Sequence, residues 1–251
     1  MNYFLKFLKV LKQPRMVFWF AFVKVYNFLF ANLWHREKLI YSDNNFFNEI
    51  QKRTLKRSDI SDHLMTLFEE TISLKPHLIV ELGVRSGEST FVLERAARLS
   101  AATLISVDIE DCSHISNYSK WLFVQKDDVA FAKEFKNFCV ERGIKPEIDA
   151  FFIDTSHLYE HTKQEIGFWF PLLSSRAKVF FHDTNLRKIY KRKNGSIGEG
   201  WNNERGVIRA LENYFGVVFD ETREWTTFIK GWSIKHKPYC SGFTILEKNP
   251  E

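Results

Sequence analysis

Short apolar runs alternate with longer amphipathic stretches from about residue 57 to residue 183. The runs are HLIVEL, ATLISVD, WLFVQ, IDAFFID and AKVFFHD, at residues 77–82, 102–108, 121–125, 148–154 and 177–183. Between them apolar residues recur at helical spacing, in residues 58–74, 90–99, 130–143 and 159–173. This alternation predicts an α/β fold with a doubly wound, mostly parallel sheet that carries helices on both faces.

Residues 1–56 follow a different pattern and are predicted to form a separate helical segment. Lys6, Lys9 and Lys12 recur every third residue before Pro14, and residues 16–34 are mainly apolar but include Lys24. A lysine at the centre of a bilayer costs about 2.5 to 3.5 kcal/mol, which disfavours a membrane span. The main alternatives are a helix lying on anionic lipid and a helix buried against a second subunit or its own domain. The helix on lipid predicts peripheral membrane contact, and the helix buried against a second subunit predicts a homo-oligomer.

Charge and cysteine content narrow the class of protein. The formal net charge is +5, but the basic residues are spread along the chain and accompany no nucleic-acid-binding motif. We therefore expect no nucleic-acid partner. Cys112, Cys139 and Cys240 form no CxxC pair, so neither a disulfide framework nor a cysteine zinc site is indicated. A cytoplasmic protein fits this cysteine usage, with the inner face of the membrane as the place of any lipid contact.

Acidic and imidazole side chains follow two of the predicted strands. Asp154 ends one run, His157 lies three residues later, and His182 and Asp183 end another. In sheets of this kind ligands bind beyond the carboxyl ends of the strands, so these side chains are predicted to share a site. The long polar stretch 184–203 is predicted to be a lid or binding loop, in which Trp201 could line the site of an acceptor.

A glycine-containing turn follows the first predicted strand, in the sequence VELGVRSGEST. Gly83 and Gly87 permit a tight turn and close approach of a ligand, and Ser89 offers a hydroxyl at the start of the next helix. Asp108 ends the second strand, where it can accept hydrogen bonds from ribose hydroxyls. Asp127 follows the third strand, where it can accept one from an adenine amino group. Each acid alone is more often a solvated residue or a helix cap.

With these residues the chain resembles the class I S-adenosylmethionine-dependent methyltransferases over roughly residues 60–251. Glu81, Gly83 and Gly87 match the first motif of that class, while Arg85 replaces a frequent glycine. The resemblance implies a methyltransferase domain at residues 57–251, with a C-terminal antiparallel pair formed by residues 225–234 and 242–248. It also implies that S-adenosylmethionine is bound by Glu81, Gly83, Arg85, Ser86, Gly87, Ser89, Asp108, Asp127 and Asp154.

A closer resemblance is to the macrocin O-methyltransferase and cephalosporin hydroxylase type, carried by IDTSHLYE, FWFPLL and FFHDTN. It implies a divalent cation held by Asp154, His182 and Asp183. It also implies that the catalytic residues are His157, as the general base, and the carboxylates Asp154 and Asp183. Carboxylates suit Mg²⁺. His182 stands where the family usually has an acid, so cation binding could be weaker, shifted towards Mn²⁺, or absent.

The predicted function is transfer of a methyl group from S-adenosylmethionine to a hydroxyl of a sugar or another polyhydroxylated small molecule or glycan. A base is needed because an alcohol is a poor nucleophile until it loses its proton. The alternative is a non-catalytic nucleotide-binding module, Rossmann-like in fold, that docks to membrane or to a partner enzyme. A third hypothesis, an iron oxygenase using His157, His182 and Asp183, is disfavoured by the strand order and the glycine turn.

Overall fold

An eight-stranded sheet forms the centre of the computed structural model, which describes residues 14–34, 39–40, 42–200 and 204–248. The spatial order of its strands is β3-β2-β1-β4-β5-β10-β9-β8. Their bounds are β1 Leu78–Leu82, β2 Thr103–Asp108, β3 Trp121–Gln125, β4 Ile148–Ile153, β5 Leu173–His182, β8 Trp225–Ile229, β9 Trp232–Lys237 and β10 Phe243–Lys248. Strands β1 to β5 pair in parallel, and the last three add antiparallel. This architecture confirms the predicted fold class.

The C-terminal strands differ from the prediction in one detail. Residues 225–234 were expected to form one strand, but the chain reverses at Lys230 and Gly231, which have φ values of 50° and 77°. Two successive residues with positive φ make the tight turn that matches the twist of a hairpin. Residues 225–229 therefore form the edge strand β8, and β9 is the antiparallel partner of β10.

Helices cover both faces of the sheet because side chains of successive strand residues point to opposite faces. Helices α2 (Asn45–Thr54), α3 (Leu64–Ser73) and α4 (Glu88–Ser100) pack on one face. Helices α5 (Asp128–Ala132), α6 (Phe135–Val140), α7 (Tyr159–Trp169) and α8 (Gly206–Phe215) pack on the other. In β1, for example, Leu78 and Val80 enter the second core and Ile79 enters the first.

The stretch 184–203 is not a plain loop. It contains a small hairpin of β6 (Ile189–Lys191) and β7 (Ile197–Glu199). Trp201, which the sequence placed near an acceptor, lies outside the described residues.

The described N-terminal residues form helix α1 (Pro14–Leu29) and a short 3₁₀ turn, Ala31–Leu33. Pro14 starts the helix, where its missing N–H costs nothing. Helix α2 packs on the core through the fully buried Ile50, and its Arg53 pairs with Glu88 of α4 at 2.8 Å. Within the described residues, every helix is too short or too polar to cross a bilayer.

Candidate active site at the carboxyl edge of the sheet

The glycine turn after β1 lies directly against the end of β4. Gly83 has φ = 84°, and a Cβ added there would overlap the carbonyl oxygen of Asp154. Its N–H also donates to the carbonyl oxygen of Val107, at the end of β2, over 2.9 Å. Only glycine fits at this position. Other residues rarely adopt this φ, and their Cβ would overlap the carbonyl oxygen of Asp154. The turn therefore brings the ends of β1, β2 and β4 together.

Asp108 at the end of β2 holds the same turn through its carboxylate. Its Oδ2 accepts from the backbone N–H groups of Val84 at 2.7 Å and Arg85 at 3.0 Å, and Oδ1 accepts from the N–H of Glu110 at 2.9 Å. A carboxylate oxygen has two lone pairs, so Asp108 retains acceptor capacity for ligand hydroxyls. The predicted ribose acid thus also shapes the turn.

Glu81 is fully buried below the turn and is surrounded by hydroxyl groups. Ser89 Oγ donates to it at 2.6 Å, Thr90 Oγ1 at 2.9 Å and Ser106 Oγ at 2.6 Å. Burial raises the pKa of Glu81 to about 7 and outweighs these three hydrogen bonds, which favour the ionised form. Glu81 and Ser89 therefore brace the glycine turn from inside the domain.

The burial of Glu81 predicts a pH dependence of stability. Because the folded pKa of about 7 exceeds the ordinary value of 4.5 for a glutamate, the contribution of Glu81 to stability is present below pH 4.5 and is lost as pH rises through 7. The linked change is about 3 kcal/mol. Glu81→Gln cannot titrate, so its free energy of unfolding should fall less between these pH values than that of the wild type, measured by denaturant titration. The exposed Glu141→Gln is the control and should keep the wild-type slope; a wild-type slope in Glu81→Gln would contradict the assignment.

Arg85 and Ser86 lie at the outer side of the turn. Arg85 has φ = 49°, the left-handed conformation that glycine adopts easily. Its Nη1 lies 3.3 Å from Asp59, and although burial opposes the charge, Asp154 and Asp59 raise the pKa of the guanidinium. Ser86 lines a cavity of about 450 Å³ beside the start of α4. Arg85 therefore adds positive charge at the acidic end of β4.

Asp127 serves as a helix cap. Its Oδ1 accepts from the N–H of Ala130 at 2.8 Å, which makes it the N-cap of α5. The next residue, Asp128, is the buried acid, and its Oδ1 lies 3.0 Å from His161 Nε2. Nothing in the local sequence distinguishes the capping acid from the buried one.

Glu165 of α7 is fully buried. Thr155 Oγ1 donates to it at 2.5 Å, and burial together with Asp128 raises its pKa to about 8. Glu165, His161 and Asp128 offer ligand atoms within 4.8 Å of one another. The hydrogen bond to Asp128 in turn raises the pKa of His161 to about 9.

His157 bridges the two predicted catalytic acids. Its Nε2 donates to Asp154 Oδ1 at 2.9 Å and to Asp183 Oδ2 at 3.0 Å. Both His157 and Asp183 have positive φ, 59° and 57°. Such backbone conformations cost free energy in residues other than glycine and are concentrated at functional sites. The structure thus brings together the three residues that the sequence predicted to act together.

His182 points its two ring nitrogens at different partners. Nε2 lies 3.1 Å from the carbonyl oxygens of both Asp59 and Cys240, which can only accept, so this nitrogen carries a proton. Nδ1 faces Asp154 Oδ1 and Asp183 Oδ1, each at 3.3 Å. A histidine ligand of a metal is typically held in this way, by a hydrogen bond from its other nitrogen to a carbonyl.

The four side chains balance their charges internally. Burial opposes every charge here, yet the hydrogen bonds to Asp154 and Asp183 raise the pKa of His157 to about 9. The same carboxylates raise the pKa of His182 well above its usual value, and the imidazoles lower the pKa of both acids. At neutral pH two imidazolium ions thus neutralise two carboxylates. A divalent cation carries the same charge, and the ligand atoms of Asp154, His182 and Asp183 lie within 4.8 Å of one another, so this donor set fits one.

A polar cavity of about 370 Å³ begins directly after Asp183. It is lined by Thr184, Asn185, Leu186, Arg187, Lys188, Arg205 and Glu221. Arg205 and Arg187 contact Glu221 at 2.9 and 3.4 Å, so the carboxylate neutralises part of the positive charge that the two arginines bring to the cavity. The cavity offers both donors and acceptors for hydrogen bonds with a ligand.

Residues 80–184 match a family model described as a methyltransferase domain. The uncharacterized protein y4gI of Sinorhizobium fredii is 28% identical over 127 residues, which are 46% of this chain and 14% of that protein. The chain therefore spans only a small part of the curated relative it matches.

Two solved structures share the fold. The methyltransferase PaMTH1 of Podospora anserina, solved with bound S-adenosylhomocysteine, has a TM-score of 0.51 and 13% identity, covering 86% of this chain and all of that chain. MycE, a methyltransferase of mycinamycin biosynthesis solved with Mg, S-adenosylhomocysteine and mycinamycin VI, has a TM-score of 0.53 and 17% identity, covering 83% of this chain and 55% of that chain. These two likenesses show the fold that the chain shares with the two methyltransferases.

Proposed function

We propose that the chain is an O-methyltransferase that moves the methyl group of S-adenosylmethionine to a hydroxyl of a sugar or another polyhydroxylated acceptor. The observation that carries the proposal is the contact of the glycine turn with Asp154. This contact supports the proposal because the glycine turn and His157, which bridges two acids, then lie at one edge of the sheet. Cofactor and acid-base chemistry must be adjacent for a methyl group to pass between bound molecules.

The cofactor is proposed to bind across the ends of β1 and β2. Asp108 would accept from the ribose hydroxyls, and the turn from Gly83 to Gly87 would lie against the amino acid portion, braced by Glu81 and Ser89. Asp127, exposed at the start of α5, is proposed for the adenine side. PaMTH1 and MycE, which share the fold, were both solved with S-adenosylhomocysteine.

His157 is proposed as the group that takes the proton of the acceptor hydroxyl. Nε2 carries a proton towards the two carboxylates, so Nδ1 is the nitrogen that accepts a proton in the neutral ring. The oxygen of the acceptor then forms the new bond to the methyl carbon while the carbon–sulfur bond breaks, and the proton remains on His157. A base in this position typically contributes a factor of about 10² to 10⁴.

A divalent cation, Mg²⁺ or Mn²⁺, is proposed at Asp154, His182 and Asp183. When bound, such an ion stabilises a developing alkoxide and orients the acceptor. The two acids supply the oxygen ligands that Mg²⁺ prefers, and His182 would contribute Nδ1, oriented by the Asp59 and Cys240 carbonyls. MycE, which shares the fold, was solved with Mg.

The acceptor is proposed to occupy the polar cavity that begins at Thr184. Its mixture of donors and acceptors suits several hydroxyl groups better than an apolar ring. A screen of mono- and oligosaccharides with S-adenosylmethionine, read by mass spectrometry, tests this directly. A gain of one methyl group supports the proposal. Cofactor binding without transfer to any hydroxylated compound would instead favour the non-catalytic module.

The cofactor role of Asp108 can be tested separately. The variant Asp108→Ala loses the two proposed hydrogen bonds to the ribose hydroxyls. Its affinity for S-adenosylmethionine, measured by calorimetry, should be about 100-fold or more weaker. Asp111→Ala, which removes an exposed acid three residues later, should bind as the wild type does. Unchanged affinity in a folded Asp108→Ala protein would remove the proposed cofactor site.

A further inference from the structure

Helix α1 exposes an apolar stripe that the rest of the described chain does not cover. Phe18, Phe22, Val25 and Leu29 follow one another at spacings of three and four residues, which places them on one side of the helix. Between 42% and 63% of each side chain is exposed. Phe28 and Leu33 beside them are 83% and 78% exposed. A contiguous exposed apolar surface of this kind marks a site of interaction.

The opposite side of α1 is attached to the domain. Trp19, Val23 and Tyr26 are half-buried. Asn27 Nδ2 donates to the carbonyl oxygen of Ile197 at 2.8 Å, and the N–H of Ile197 donates back to Asn27 Oδ1 at 3.0 Å. The two bonds tie the helix to strand β7, so the exposed stripe has a fixed direction relative to the domain.

The attachment also places α1 on the same edge of the molecule as the candidate active site. In the β6–β7 hairpin, Arg192 Nε donates to the carbonyl oxygen of Ser58, and the N–H of Cys240 donates to the carbonyl oxygen of Lys191. The Cys240 carbonyl oxygen lies 3.1 Å from His182 Nε2. The helix, the hairpin and the carboxyl edge of the sheet are thus linked through consecutive contacts.

Charge decides which partner fits the stripe. Residues 1–34 contain Lys6, Lys9, Lys12, Arg15 and Lys24, and no aspartate or glutamate. Two copies of this segment packed together would bring like charges close to each other, and an apolar protein surface would bury Lys24 at a high cost. An anionic bilayer surface suits both the apolar side chains and the positive charge of this segment. Aromatic side chains enter the headgroup region, while lysines contact lipid phosphates.

We propose that α1 docks the protein onto an anionic lipid bilayer through Phe18, Phe22, Val25 and Leu29. The helix lies in the plane of the interface, with Lys24 at the headgroups, where the Phe20 ring already supports its ammonium group at 4.3 Å. This docking brings the carboxyl edge of the sheet close to the lipid surface. It does not depend on the methyltransferase activity, so a failure of either leaves the other testable.

Cosedimentation of the full chain with vesicles tests the proposal. Vesicles of equal parts phosphatidylcholine and phosphatidylglycerol should pellet the wild type, and phosphatidylcholine alone should pellet much less of it. The double variant Phe18→Glu with Phe22→Glu should partition about tenfold or more weakly, since two charges replace inserted rings. The control is Val218→Glu with Phe228→Glu, which makes the same change at residues 86% and 64% exposed elsewhere, and should pellet as the wild type does.

Several results would overturn docking. These are a wild type that stays in solution, equal losses in the two double variants, and binding that is indifferent to phosphatidylglycerol and to added salt. The last comparison needs only the wild type, so it holds even where a variant fails to fold. A dimer that forms without lipid, fails to bind vesicles and dissociates in Phe18→Glu with Phe22→Glu would assign the stripe to a second copy instead.

Discussion

Replacing His157 with alanine is expected to lower turnover by about two to four orders of magnitude, with little change in cofactor affinity. The ring lies between Asp154 and Asp183, 2.9 and 3.0 Å from their oxygens, at the carboxyl edge of the sheet. Without it the two carboxylates are left as poor bases, because both acids have lowered pKa values. The measurement is the rate of methyl transfer to an acceptor from the sugar screen, at saturating S-adenosylmethionine.

A second substitution separates the base from its structural role. His157→Gln retains an N–H donor for the two carboxylates but cannot accept a proton, so it should be nearly as slow as His157→Ala. His77→Ala, which removes a histidine whose side chain is 90% exposed, is the control and should keep the wild-type rate. Full activity in His157→Gln would exclude the general base.

The pH profile gives the same residue an independent readout. Because the pKa of His157 is raised to about 9, the ring is charged at neutral pH and cannot accept a proton. The rate without added cation should therefore rise with pH and level off above about 9. The His157→Gln profile should lack this limb.

Chelation is expected to lower the rate of the wild type strongly, and added Mg²⁺ or Mn²⁺ should restore it. A cation held by Asp154, His182 and Asp183 would also replace the positive charge that the imidazolium of His157 supplies to the two acids. The pKa of His157 should then fall, and the limb of the pH profile should move to lower pH.

Asp183→Asn should bind the ion about tenfold or more weakly, because a neutral amide oxygen is a poorer ligand for a hard cation. Binding of Mn²⁺, followed by electron paramagnetic resonance, measures this without activity. Asp220→Asn, at an exposed acid, is the control. A wild type that keeps its full rate in chelator and binds no Mn²⁺ would exclude the cation and leave His157 as the activating group.

The sequence predicted the sheet well because burial on both faces makes parallel strands continuous apolar runs. β1 to β5 stand in the expected places, and Asp154, His157 and Asp183 meet because the carboxyl ends of neighbouring parallel strands must meet. The turn at Lys230 and Gly231 escaped the prediction because a single glycine within a strand pattern is also compatible with a bulge, and the backbone conformation reveals the reversal.

Burial of charge was the property that sequence reasoning missed. Glu165 and Asp128 were indistinguishable from surface acids because each is buried by residues distant in the chain, Glu165 by Thr155 and Asp128 by His161. The orientation of His182 likewise depends on the carbonyls of Asp59 and Cys240, which lie 123 and 58 positions away. Contacts between such distant residues leave no periodic pattern in the local sequence.

The sequence by itself determined the positions of strands β1 to β5 along the chain, the glycine that the turn requires and the residues that end the strands. Each of these follows from local spacing and conformation. Only the tertiary structure decided which acids are buried and how His157 and His182 share their protons. It alone showed that α1 presents one apolar side to solvent while Asn27 holds the other to β7. These properties arise from contacts between distant segments, whose free energies depend on the completed fold.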